Sequence, residues 1–173
     1  MQISIEQHWL NWKKQTWSQP TVSWQDGFIA NGFCPECRLC CGPQIGDKPF
    51  PMALLPEQLH ARISEDFYMY DASHASLDER GCKALSSKGC NLPRFRRPPA
   101  CGIFPIVLTY GSLFLYTLCP ASLLMPLSTW LDLSYKVRDW LRTFPLEIQE
   151  HINIKVEGNF LLQRYVNLHV QVF

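Results

Sequence analysis

Cys34-Pro-Glu-Cys37-Arg-Leu-Cys40-Cys41 places four thiols within eight residues, and Cys82, Cys90, Cys101 and Cys119 bring the total to eight. A C-x2-C spacing folds the chain back over a short turn, so that two sulfurs converge on one point. Zinc ribbons and iron–sulfur proteins place their thiolate pairs this way. The adjacent Cys40 and Cys41 cannot both aim at that point as easily, which predicts two centres, or one centre with a spare thiol. All eight cysteines are therefore candidate metal ligands.

The elements that must position them can be read only coarsely. Apolar and aromatic positions at Ile5, Trp9, Leu10, Trp12 and Trp17 predict an amphipathic helix over 3–17, closed before Pro20. Asp26-Gly27 and Asn31-Gly32 read as turns leading into the cysteine run. The stretch from Met52 to Ile63 suggests a helix with Pro56 as its first residue, and 66–80 reads as a polar loop. Cys82 to Cys101 reads as loop backbone wrapped around a metal. Two β-favouring runs, 103–110 and 113–118, predict a hairpin turning on Gly111-Ser112 in a II′ geometry. Ser128 is the expected cap of a helix from Thr129 to Phe144, ended by Pro145. The tail from Ile152 to Val156 and from Phe160 onward suggests a second hairpin, with a helical start at 160–165 as the alternative. Alternation of Val166, Leu168, Val170 and Val172 with polar residues marks a half-buried strand.

Composition narrows the class. A chain of 173 residues, 47% hydrophobic, can bury one sizeable core. A net charge of +1 argues against a nucleic-acid-binding surface. The first ten residues lack the basic segment and apolar run of a secretory signal. The expected location is thus the reducing cytoplasm, where thiols stay free or bind metal. No charge occurs from Pro98 to Leu131, long enough to span a bilayer, but five prolines and two glycines interrupt it. We expect buried core there and no membrane span.

The later cysteines fall in an ordered pattern: Cys82-Lys-Ala-Leu85, then Gly89-Cys90, then Arg97-Pro98-x-x-Cys101, then Cys119-Pro120. With the Cys34–Cys41 run, this resembles the zinc- or iron-chelating domains of the CxxCxxCC type, the YkgJ-like cysteine cluster proteins. The resemblance covers roughly 33–120, and each cysteine finds a counterpart in it. Two positions depart. The stretch between Cys90 and Arg97-Pro98 is one residue longer than usual, and Gly102 stands where an arginine is common. The resemblance implies metal binding without implying a reaction.

Zinc and an iron–sulfur cluster suit this thiol set equally. Four thiolates on either leave about −2 per centre, which calls for compensating charge when buried. Arg38, Lys83, Lys88, Arg94, Arg96 and Arg97 lie beside cysteines in sequence. Arg97, and after it Arg38, are the candidates to support the ligands from behind. The five histidines are not paired at helical spacing and read as surface or half-buried residues. Asp71-x-x-His74 and Asp78-Glu79 read as solvated loop charges, and the tryptophans as a packing layer.

The expectation is a single α+β domain over 1–173, small, irregular and metal-nucleated. Its cysteine core spans 33–120, with a helix at 3–17 and a helix and hairpin at 128–173. Function is expected to be metal or cluster binding, with redox or electron-transfer work and a redox partner if the metal is iron. The alternatives are a structural zinc domain facing a protein partner, and a metal enzyme with an open coordination position.

Overall fold

The computed structural model describes residues 21–44 and 50–173, and the expected helix over 3–17 lies outside them. Among the described residues the architecture is α+β, built from one long helix, several short ones and four small antiparallel sheets.

The described chain begins with a hairpin of β1 (Val22–Gln25) and β2 (Phe28–Asn31), paired from Val22↔Asn31 to Gln25↔Phe28. Asp26 and Gly27 make its turn with φ of 33° and 86°, the left-handed region that Asp tolerates and Gly prefers. Asn31 then accepts the Phe33 N–H on its side-chain oxygen at 3.0 Å. This Asx-type bond turns the chain into α1 (Cys34–Cys37), a single helical turn opened by Pro35. Arg38 leaves it at φ 52°.

A three-stranded sheet follows, ordered β3 (Phe50–Ala53), β5 (His74–Leu77), β4 (Tyr68–Met69). The expected polar loop at 66–80 thus contains two strands. They are too short for an alternating pattern, and Ala75 is wholly buried at the sheet centre. The expected helix from Pro56 is a 3-10 turn, Pro56–Gln58, followed by the one-turn α2 (Ile63–Asp66). Gln58 explains the early stop. Its buried amide accepts the Leu55 N–H at 2.8 Å and donates to the carbonyls of Phe95 at 3.0 Å and Arg97 at 2.7 Å. Residues 82–101 hold a two-residue ladder, β6 (Leu85–Ser86) with β7 (Gly89–Cys90), then a 3-10 turn at Arg94–Arg96 and α3 (Pro99–Ile103).

β8 (Ile106–Thr109) and β9 (Ser112–Tyr116) form the expected hairpin with a different turn. Thr109 pairs with Ser112, leaving Tyr110 and Gly111 at the tip with φ of 50° and 70°. Two left-handed residues make this type I′, whose twist matches the strands. After α4 (Pro120–Leu124), the long α5 (Leu127–Leu141) starts behind Pro126, and Ser128 makes no cap. Pro145 then opens α6 (Leu146–Ile152). The expected strand at 152–156 is replaced by that helix and one parallel bridge, Thr109↔Ile154. The helical alternative at 160–165 holds: α7 (Gly158–Arg164) leads into β10 (Tyr165–Gln171), which completes the sheet β10-β9-β8.

Burial divides into two cores. The larger packs Ile106, Leu108, Leu113 and Leu115 against Trp130, Leu133, Val137 and Leu141 of α5 and Leu168 and Val170 of β10. The smaller gathers Met52, Leu54, Phe67, Ala75, Ala84 and Leu92. Among the described residues, no helix is long and apolar enough to cross a membrane. The uncharged stretch from Pro98 is short helix and hairpin, with Ile106 and Leu113 fully buried.

Candidate metal centre

The two cores divide the cysteines. Cys37 and Cys119 belong to the larger one, while Cys82 and Cys90 pack against the smaller. Each thiol is positioned by a short local device. Cys34 and Cys37 occupy the ends of α1, and Cys40 and Cys41 sit in the turn that follows. Cys82 follows the turn closed by Gly81 N–H on the Asp78 carbonyl at 2.9 Å. Cys90 ends β7, Cys101 sits in the middle of α3, and Cys119 caps α4.

Electrostatic coupling resolves two sets. Burial, then the charges of Cys119, Cys41 and Cys37, pushes the Cys34 thiol up to about 12. Cys37 is pushed up to about 11, by burial first and then by Cys119 and Cys41, against the Leu39 N–H that favours its thiolate. Burial, then Cys41, Cys82 and Cys90, raises Cys101 strongly, and burial, then Cys41 and Cys90, raises Cys82. Cys40 is raised in turn by Cys41, Cys34 and Cys119, so Cys34, Cys37, Cys40 and Cys119 are electrostatic neighbours, as are Cys82, Cys90 and Cys101.

Cys41 touches both. Its sulfur lies 3.9 Å from that of Cys40. The shared hydrogen bond lowers Cys41 to about 7 and raises Cys40; Arg97 also favours the Cys41 thiolate, against burial. The backbone ties it to Cys82, whose N–H donates to the Cys41 carbonyl at 2.8 Å. Cys41 thus acts on members of both groups, and the adjacent pair is their junction.

Among the described residues, no three His, Cys, Asp or Glu side chains stand close enough together to hold a metal ion as they are placed. The surrounding donors nevertheless fit thiolates. Backbone N–H groups two residues on face three of the sulfurs: Leu39 for Cys37, Ala84 for Cys82 and Ala121 for Cys119. Asn31, which no sequence signal marked, lies beside Cys119 and favours its thiolate, and its buried Nδ2 has no acceptor in hydrogen-bonding geometry. The buried Arg38 Nε is likewise unpartnered. Cys34 and Cys101 reach solvent, yet protein crowds both closely enough to make desolvation the first cause of their raised pKa. A negatively charged centre would use these donors.

The basic residues separate by contact. Arg97 is held by the Leu92 carbonyl at 2.8 Å, and its charge favours the thiolates of Cys41 and Cys101. Arg94 does the same for Cys34. Arg38 donates instead to the Ser87 carbonyl, Lys83 to that of Ser64, and Arg96 to Asp66. Comparisons with protein families, curated proteins and solved structures find no match.

Other residues settle as follows. Asp78 is buried rather than solvated, bonded to Ser76 and Arg80. Trp24 meets Trp140 edge-on at 6.0 Å beside the larger core, while Trp9, Trp12, Trp17 and His8 lie outside the described residues. His60 faces Asp66 at 3.5 Å. His74 and His151, distant in sequence, are in ring contact.

Gly81 tests the junction. It has φ +74°, and a Cβ there would lie 2.9 Å from Gly42 C and Pro43 N and 3.1 Å from the Cys41 carbonyl oxygen. Gly81→Ala is expected to cost about 1–3 kcal/mol in urea denaturation and to lower metal content by displacing Cys41 from Cys82. Gly89→Ala carries backbone strain too, at φ +101°, but meets nothing within 4 Å, so its metal content should stay at the parent level.

Proposed function

We propose that this protein holds two cysteine-ligated metal centres, one from Cys34, Cys37, Cys40 and Cys119, the other from Cys41, Cys82, Cys90 and Cys101. The observation that supports this reading is the pattern of thiol electrostatics: Cys34, Cys37, Cys40 and Cys119 act on one another, Cys82 and Cys90 act on Cys101, and Cys41 lies at the junction. Four thiolates close the shell of a structural zinc ion and equally anchor a cubane cluster. Full shells favour structural or electron-transfer work over Lewis-acid catalysis, which needs an open position. The protein belongs on this reading with the CxxCxxCC cysteine cluster domains, in a reducing cytoplasm where thiols remain available.

Arg97, Arg94, Asn31 and the backbone N–H groups would stabilise the thiolates, as donors around metal-bound sulfur do. A zinc ion supplies a fixed fold and a surface for a protein partner. An iron–sulfur cluster supplies one-electron exchange with a redox partner. Metal analysis and an absorption spectrum of anaerobically purified protein separate the two. Stoichiometric zinc without colour is the structural case, and iron with sulfide and visible charge-transfer absorption is the redox case. Protein purified with neither, and taking up neither on reconstitution, would sink the proposal.

A further inference from the structure

The sheet β3–β5–β4 meets α6 at two imidazoles. His74 sits on β5 opposite Ala53, and His151 lies in the last turn of α6. Their ring centroids are 4.5 Å apart at an interplanar angle of 57°. The hydrogen bonds around them decide which nitrogens carry protons. His74 Nδ1 is 2.8 and 2.9 Å from the two carboxylate oxygens of Asp71, which only accept, so Nδ1–H donates. His151 Nε2 is 3.2 Å from the Leu54 carbonyl oxygen, another pure acceptor, so Nε2–H donates. The remaining lone pairs are His74 Nε2 and His151 Nδ1. Among the described residues neither has a donor. His74 keeps 25% of its side chain exposed, so water and ions can reach it.

From this arrangement we infer that His74 and His151 form a binding site for a divalent transition-metal ion, separate from the cysteine sets and supported by Asp71 and the Leu54 carbonyl. Imidazoles that ligate metals almost always donate their second N–H to a carboxylate or backbone carbonyl, which fixes the tautomer and raises basicity. Both backing types are present. The spacing agrees. With metal–nitrogen bonds of about 2.0–2.1 Å and a ring centre about 1.2 Å further back, two imidazoles meeting an ion near a right angle have centroids about 4.5 Å apart. Two protein ligands leave the other positions to water, so the ion is exchangeable. Imidazole ligands meeting near a right angle suit Ni²⁺ or Cu²⁺, whereas tetrahedral Zn²⁺ would set the rings further apart. The ion would bridge the sheet of the smaller core to a helix of the larger.

The test is a Ni²⁺ titration of the full-length zinc-treated chain, followed by NMR of backbone amides and imidazole C–H signals. Paramagnetic broadening should centre on residues 53–54, 71–75 and 148–152. His74→Gln and His151→Gln, which keep polar side chains in place, should each weaken Ni²⁺ binding at this locus by at least about tenfold, and Asp71→Asn by about tenfold. Amide spectra of the nickel-free variants verify their fold. Broadening confined to the cysteine region, or binding unchanged in the His74→Gln/His151→Gln double variant, would overturn the inference. Because the readout is local to the two histidines, it stands or falls apart from the metal content of the cysteines.

Discussion

Replacing Cys34 and Cys119 together with Ser should leave about half the bound metal, and replacing Cys101 and Cys119 together should leave almost none. The first pair lies within one set of thiols and the second divides between the two. Loss of one thiolate from a four-thiolate centre opens its shell and weakens it severely, and loss of a second from the same centre adds little. Paired variants therefore count centres where single variants count only ligands. The adjacent residues give the sharpest case. Cys40→Ser should lower metal at the set containing Cys34, and Cys41→Ser at the set containing Cys82, although the two sulfurs are 3.9 Å apart. Plasma emission metal analysis, with free-thiol titration to locate the released set, reads the result. Equal metal loss in both paired variants would mean one shared centre and overturn the division.

The second large effect follows metal removal. Residues 81–101 hold two-residue strands, a 3-10 turn and the start of α3, so their backbone bonds close only short turns and form no extended ladder. Metal binding to such a segment contributes directly to its folding. The sheet β10-β9-β8 and α5 instead close around fully buried Trp130, Leu113, Val137 and Leu141. Chelation should accordingly abolish hydrogen-exchange protection in 81–101, while α1, whose Cys37 belongs to the larger core, and β8, β9, β10 and α5 retain most of theirs. Uniform protection before and after chelation would show that metal does not order the cysteine region.

The same experiment has a pH signature. In the metal-free chain, burial pushes Cys34 up to about 12 and Cys37 up to about 11 from an ordinary value of 9.0. A thiol harder to ionise folded than unfolded stabilises the fold below its unfolded pKa, and that contribution is lost as pH rises through the window from 9.0 towards the folded values. Urea midpoints of chelated protein should thus fall steeply above pH about 9. Metal-loaded thiolates are already deprotonated, so loaded protein should not show that alkaline loss; its weakness lies at low pH, where protons compete for sulfur. Matching pH profiles for the two forms would count against metallation.

Local chemistry was legible where it acts over a few residues. Asp26-Gly27 turns, Pro56 opens a helical turn, and the alternation at 166–172 forms a strand. Errors arose where a distant group outweighed a local signal. Gln58 binds the carbonyls of Phe95 and Arg97 and stops the helix expected from Pro56. The β8–β9 register moves the turn from Gly111-Ser112 to Tyr110-Gly111. Strands β4 and β5 carry too few residues to show a period, and the ladder to β3 makes them strands.

The sequence by itself determined the eight thiols and the C-x2-C spacing that puts four of them within eight residues. Those follow from residue type and from spacings a few residues long. Only the tertiary structure decided which thiols are neighbours, because that depends on where segments far apart in the chain pack. The Cys82 N–H bond to the Cys41 carbonyl ties the first cysteine run to the second segment, and the Asn31 turn brings an amide to Cys119. The contact of His74 with His151 is likewise made by a sheet meeting a helix, across a separation that no spacing rule covers.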